Sequence, residues 1–278
     1  MMKKRIIMCL LIFILPIFSS CSKTNESDMS EVNFLSQIYE INQGLVYSFE
    51  ELEEELTSYE INGQKLDISY KNTLYYPVGD QKMHYYAYSD SDNDYLLFDE
   101  NGTLATICGY SVCMKVLGKV AMPQNLSEEN VRLAVMTAVS QIIKLDNYDK
   151  WKLTENPNED SGHYMFVFYN EVNGYTCDYV TVILYADGRI LRVTSMNNEL
   201  DYMNLNLSIN ENWENKLLLA KLKDMYNTNG NEYISHELHE KKILKYNDEI
   251  CVQYNISVTT SDYGDRIYLF IPLSVLTT

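Results

Sequence analysis

Tyr164-Met-Phe-Val-Phe-Tyr169 and Tyr179-Val-Thr-Val-Ile-Leu-Tyr185 are two runs of aromatic and β-branched residues, and Asp187-Gly188 turns the second into Arg189-Ile-Leu-Arg-Val193. Such side chains fit a pleated, half-buried surface, and Asp-Gly supplies the backbone freedom of a tight hairpin. An antiparallel sheet is therefore expected. Upstream, Ser127-Glu-Glu-Asn130 offers a Ser N-cap and an acidic first turn, while Val131, Ala134, Val135, Ala138 and Ile142 recur on one helical face. A helix with one apolar stripe, followed by such strands, buries that stripe on one side of the sheet, so the unit reads as α+β.

Working outward, the unit has an internal echo. Shifting the chain by about 85 residues places Asn130 on Asn215, Leu133 on Leu218, Tyr148 on Tyr233, Leu153 on Leu238, Val167 on Val252, Tyr169 on Tyr254 and Asn170 on Asn255. After a short insertion, Asp178, Val180 and Val182 fall on Asp265, Ile267 and Leu269. In the second copy Asn210 or Asn212 is the cap of a helix carrying Trp213, Leu217, Ala220 and Met225. A fainter third copy precedes both: Ser48-Phe-Glu-Glu51 has capping-box spacing before an acidic helix, and Leu96 to Leu104, with Gly102, echoes Val182 to Ile190, with Gly188. The expected fold is thus α+β, two or three tandem units, each a helix packed on a small antiparallel sheet. Their bounds are 41–110, 126–200 and 208–278, with a linker at 111–125.

Charge narrows the partners. The 278 residues carry 22 Lys plus Arg against 39 Asp plus Glu, a net −17, and 46% are hydrophobic. That apolar share supports a sizeable core, whereas a nucleic-acid reader needs a Lys/Arg-rich face, so nucleic acid is excluded. The 24 Tyr suit half-buried strands.

Residues 1–20 have the form of a secretory signal: Lys3-Lys4-Arg5, an apolar run from Ile6 to Phe18, then Ser19-Ser20 before Cys21. The run is shorter than the roughly 20 residues that cross a bilayer as a helix. Phe18-Ser19-Ser20-Cys21 resembles the lipobox of bacterial lipoproteins, although Phe18 departs from the usual Leu or Val. The resemblance implies cleavage before Cys21, its lipidation, palmitate included, and a protein anchored on the extracytoplasmic face of the cell membrane. Residues 21–40 then read as a polar tether. Cleavage removes three of the 22 basic residues and no acidic one, leaving 19 against 39, or −20. Anionic lipid repels such a body, so the acyl chains do the anchoring.

The unit from Ser127 to Val193, with its Ser127-Glu-Glu helix start, its strand Tyr164 to Tyr169 and its strand-turn-strand around Asp187-Gly188, resembles PepSY-type domains, the α+β modules of peptidase propeptides and bacterial surface lipoproteins. The resemblance covers about one unit and a fainter echo to Thr278. It implies a non-catalytic module that inhibits, chaperones or senses a secreted peptidase, without catalytic residues to carry over.

Candidate chemistry is sparse. His236-Glu-Leu-His239-Glu240 spaces its His three apart where zincins need four, and in a strand such positions face opposite ways. Asp90-Ser-Asp92-Asn-Asp94 starts like a calcium loop, but Tyr95 and Asn101 stand where an EF-hand needs Gly and Glu. An irregular calcium site including Asp99 is the alternative to the solvated acidic loop expected here. Cys108, Cys113, Cys177 and Cys251 allow three disulfide connectivities or four free core thiols. No metal, cofactor or catalytic residue is expected.

The remaining candidate is aromatic. Tyr85, Tyr86, Tyr88 and Tyr95 crowd the acidic residues Asp90, Asp92 and Asp94, a composition suited to a recognition surface for Lys or Arg groups. The sequence thus reads as a lipid-anchored binding, interaction or sensing protein without enzymatic activity. Its expected partners are membrane lipid, through the acyl anchor, and a basic peptide or a secreted peptidase.

Overall fold

The computed structural model describes residues 35–277, apart from 36, 42–45, 49, 51, 53–54, 77–80, 90, 158–161, 197–199, 201–203, 206 and 229–231. Cys21, residues 1–20 and most of the tether lie outside the described residues. The strands are β1 (Tyr39–Ile41), β2 (Val46–Ser48), β3 (Ser58–Ile61), β4 (Gln64–Tyr76), β5 (Gln81–Tyr88), β6 (Ser91–Asp99), β7 (Leu104–Cys108), β8 (Lys150–Glu155), β9 (His163–Val172), β10 (Tyr175–Tyr185), β11 (Ile190–Met196), β12 (Tyr233–Tyr246), β13 (Glu249–Thr260) and β14 (Gly264–Pro272). The helices are α1 (Tyr110–Val116), α2 (Glu128–Val139), α3 (Glu211–Thr228) and the short α4 (Leu273–Leu276).

Local chemistry sets the hairpins and caps. Asn62-Gly63, Asn173-Gly174 and Asn247-Asp248 each form the two-residue link of an antiparallel pair, and all six residues have positive φ. Two consecutive left-handed residues match the twist of the flanking strands. Ser127 caps α2 by accepting from the Asn130 N–H at 3.4 Å. Asn210 does the same for α3, accepting from Asn212 and Trp213.

The tandem-unit expectation is corrected here. Among the described residues the fourteen strands join one mixed sheet, not a series of small sheets each with its own helix. The join is made at β10. One of its edges pairs with β9, while the other is shared by β11 at Tyr179–Leu184 and by β12 in a single parallel pair, Thr176↔Lys242. The sheet therefore forks: one branch runs β11-β7-β6-β5-β4-β2, the other β12-β13-β14-β1. Unpaired strand edges are costly, and here each segment supplies the edge that its neighbour lacks.

Residues 85 apart do lie in elements of one kind, with Leu153 in β8 and Leu238 in β12, and Val167 in β9 and Val252 in β13. They share a single sheet. The acidic segment after Ser48 is not helical at its described residues 50, 52 and 55–57. Glu50, Glu51, Glu53, Glu54 and Glu55 would set like charges three and four apart on a helix, which opposes it. In this part of the fold α1 packs on the sheet instead.

Registers separate the faces. Phe166, Phe168, Val180, Val182, Val193, Ile107, Leu96 and Phe98 form one core with Val112 and Val116 of α1 and Val131, Val135 and Val139 of α2. Val252, Tyr254, Ile256, Ile267 and Leu269 form a second core with Leu217, Leu218 and Leu222 of α3. The Thr176↔Lys242 pair carries face parity across the fork, so both cores and these three helices share one side of the sheet. The other side carries two smaller clusters, around Phe270 and around Leu97.

Candidate functional site

A groove of about 560 Å³ opens beside the first core, between β3, the start of β7 and the chain leaving α2. Such a volume lies in the range of ligand-binding clefts. Asn62 fixes one wall, since its side-chain amide donates to the Val116 carbonyl at 2.8 Å and ties the β3–β4 turn to α1. Past α2, the Ile142 and Ile143 N–H groups both donate to the Val139 carbonyl, curling Gln141–Lys144 over the opening. Ile61, Leu104 and Val193 give an apolar floor, and Asn62, Gln141, Asn147 and Ser195 give neutral hydrogen-bonding walls. Glu60 and Lys144 are its charged members, one of each sign.

The β3 wall is a strand edge, whereas β7 is paired on both sides, to β6 and to β11. Side chains alternate between faces along a strand, yet Tyr59, Glu60, Ile61 and Asn62 all border the groove, as do Thr103 to Ile107. In a two-residue hairpin the residues flanking the loop exchange hydrogen bonds, and pairing then alternates. Ile61 and Tyr59 therefore bond to β4, in agreement with the Ile68 N–H donating to the Thr57 carbonyl at 3.1 Å, and Ser58 and Glu60 turn their N–H and C=O outward. On β7 the ladder to β11 ends at Thr106↔Thr194. By the same alternation, counted from the Gly109 N–H bonded to the Leu191 carbonyl, the Thr106↔Thr194 pair is closed by the backbone groups of Ala105 and Ser195, so β7 offers no free edge toward β11 there.

The structure disperses the aromatic and acidic candidates. Tyr86 is buried in the first core, edge-on to Phe98, and Tyr88 lies on that same face with the Lys115 ammonium 5.5 Å from its ring centre. Tyr85 and Tyr95 are on the opposite face, their rings 4.8 Å apart. Asp94 is buried and accepts from the Ser111 and Val112 N–H groups at 2.6 and 3.1 Å, capping α1. Gly109 makes room for it: a Cβ there would stand 2.4 Å from the Asp94 carboxylate. Asp90, the Asp92 side chain and Cys21 lie outside the described residues. Asp99 accepts from the Asn101 and Thr103 N–H groups and so organises its own turn.

Among the described residues no three His, Cys, Asp or Glu converge as metal ligands. His236 contacts the Tyr233 hydroxyl at 2.6 Å and His239 the Ser257 hydroxyl at 2.6 Å. Cys108, Cys113, Cys177 and Cys251 are buried thiols, not joined in disulfides. Burial pushes the Cys177 thiol up to about 11 and that of Cys251 to about 12, which keeps both protonated and unreactive.

Sequence reasoning missed two features. The groove was signalled by Asn62-Gly63, a hairpin dipeptide as clear as Asp187-Gly188. The second feature is a buried polar junction near the fork. Glu214 of α3, with no exposed side-chain surface, accepts from the Tyr254 hydroxyl at 2.7 Å, the Lys241 ammonium at 2.7 Å and the Tyr175 hydroxyl at 3.0 Å. Burial, and then the Glu214 charge, push both phenols above their ordinary range. Tyr175 begins β10 and Tyr254 lies in β13, so this carboxylate links the fork strand to the second branch.

No family model matches the chain, and no curated protein does. Solved structures of MucB and of MucB in complex with MucA(peri) match over 90% of this chain and 95% of theirs, at 10% identity and a TM-score of 0.13. A Pseudomonas aeruginosa MucA/MucB complex matches over the same shares at 11% identity, also with a TM-score of 0.13. A likeness of that size carries no argument about fold or function. Among the described residues no helix is long and apolar enough to cross a membrane.

Proposed function

We propose that this chain is a lipid-anchored, extracytoplasmic binding protein that engages a protein partner through the groove beside the first core. The groove carries the reading, because it joins an apolar floor to neutral hydrogen-bonding walls and is framed by strands on one side and by the chain leaving α2 on the other. The anchor rests on the lipobox-like Phe18-Ser19-Ser20-Cys21, which would hold the body at the membrane surface. A secreted peptidase is the partner class that the PepSY resemblance implies. A mechanism follows from the geometry: an open groove next to a firmly packed core binds without a large rearrangement, so little ordering entropy opposes association.

The test is site-specific photocrosslinking in intact cells. A photoreactive residue in place of Gln141, at the groove, is expected to give a discrete protein adduct that the same residue in place of Lys223, on α3, does not give. Identical adducts from both positions, or none from the groove, would remove the reading. Anchoring is checked separately: the wild-type chain should partition into detergent, and Cys21→Ala should not.

A further inference from the structure

We propose that the face of the sheet opposite its two cores carries, at the fork, a site for the carboxylate of a small apolar acid, taken between the Lys242 ammonium and the Gln253 side-chain amide. The site stands apart from the groove and shares no residue with it.

The registers assemble it. Val252, Tyr254 and Ile256 point into the second core, so Gln253 and Asn255 project from the other face, with Lys242 and Glu240 as their partners across the β12–β13 ladder. Phe168 and Val180 point into the first core, so Tyr169, Tyr179 and Lys152 share that other face. The Lys242 ammonium lies 4.1 Å from the Tyr179 ring centre, and that of Lys152 lies 5.5 Å from the Tyr169 ring centre. Glu240 stands between them, 3.1 Å from Lys242 and 3.9 Å from Lys152. Three strand spacings of about 4.8 Å separate β8 from β12, and Lys152 is level with Thr181 whereas Glu240 lies beyond Thr176. Side chains meet over that span because the sheet curls with this face inside.

Charge and hydrogen bonding name the ligand. Two ammonium groups face one carboxylate, an excess of one positive charge in a chain of net charge −17. Burial alone would lower the Lys242 pKa, yet Tyr179 and Glu240 hold it above the ordinary lysine value, so the charge is kept. Gln253, directly opposite Lys242, is 4% exposed, and its amide nitrogen has no hydrogen-bond partner among the described residues. A buried donor without an acceptor is costly, and an anionic oxygen is the acceptor that relieves it best. A carboxylate offers one oxygen to the amide and one to the ammonium, and its single charge balances the excess. The other neighbour of Gln253 is Phe270, which packs with Leu244 and Cys251, so the body of the acid meets an apolar surface. Entry is from the rim, where the Lys152 side chain is 46% exposed.

The probe is hexanoate, titrated into the full chain in detergent at neutral pH and followed by equilibrium dialysis and by the NMR resonance of the Gln253 side-chain amide. Saturable binding that moves this resonance is expected. Lys242→Met and Gln253→Leu should each weaken it by about tenfold or more, the loss of one charge-assisted hydrogen bond. Gln253→Leu also removes the unpartnered donor, so its melting temperature should be no lower than that of the wild type, which separates loss of binding from loss of fold. Gln253→Glu places a carboxylate of the chain's own beside Lys242 and should abolish binding as well.

An absence of saturable binding, an unmoved Gln253 resonance, or binding that both weakened variants retain overturns the proposal. Hexanol bound as tightly as hexanoate would reduce the site to an apolar patch, and inorganic phosphate bound more tightly would name a different anion; either result overturns it. If Gln253→Leu melts lower than the wild type, the Lys242→Met affinity and the wild-type amide resonance decide.

Discussion

Glu214 lies on the stripe that continues with Leu218, Leu222 and Tyr226, each one helical turn further along α3 and each buried. A carboxylate on such a stripe is tolerable because three donors converge on it. Losing one donor is expected to cost about 1.5–3 kcal/mol, the usual range for a hydrogen bond to a charged group. Tyr254→Phe should show that loss in urea denaturation near neutral pH. The same phenols set an alkaline limit. Their folded pKa values are raised, so their contribution is complete below the unfolded value near 10 and is lost as pH rises beyond it. The melting temperature of the wild type should fall steeply above about pH 10, and Tyr254→Phe should fall less steeply. A fall of equal slope in both would dissociate Tyr254 from the effect. Glu214 was legible only as an acidic residue out of place on an apolar face. Asp94 was not legible at all, since its role depends on a helix start seventeen positions later.

Hairpins show the most of what local sequence can say. The runs Tyr164 to Tyr169 and Tyr179 to Tyr185 lie within β9 and β10, and Ser127 caps α2 as its side chain requires. The Asn247-Asp248 turn is the exception: both residues have positive φ, and neither is Gly. Asp248→Gly should raise stability by about 0.5–1 kcal/mol, because a left-handed backbone strains a side chain and not a glycine. The Lys245–Asp248 pair that it removes is exposed, and exposed pairs contribute little. A lowered urea midpoint would show that the pair outweighs the strain. What local sequence did not convey is pairing at long range, such as β7 with β11, where Ile107 meets Val193.

At the scale of the molecule, two cores share one sheet and meet where a single strand pair and one carboxylate join β10 to the second branch. The repeat spacing drew attention to units, but the periodicity of a strand says which face is buried and not which edge finds a partner. That is why the fork at β10 escaped the sequence. Each core has its own reporter, since the chain's two Trp are Trp151, packed on the first core, and Trp213, packed on the second. With one Trp replaced by Phe in turn, the two fluorescence transitions in urea should coincide for the wild type. With Glu214→Ala they should separate, Trp213 moving to lower urea, because two buried phenols and the partly buried Lys241 ammonium lose their common partner. Coincident transitions in that variant would show that the ladders alone couple the cores.

The tips of the two branches, β1 and β2, are neighbours in sequence, separated only by residues 42–45. Five Cα steps span at most about 19 Å, so the tips cannot stand further apart than that. Tension drawn through the N-terminal end would reach β1 before any other strand. Three residues of pairing with β14 would carry it, backed by Ile38 in the second core. The first event under load is therefore release of β1 alone, a slack of a few residues that lets the body swing away from the pulling point with both cores intact. Optical-tweezer traces of the chain pulled from residue 35 should show a short, reversible first extension at low force, and a single long rip would show that no such mechanical fuse exists.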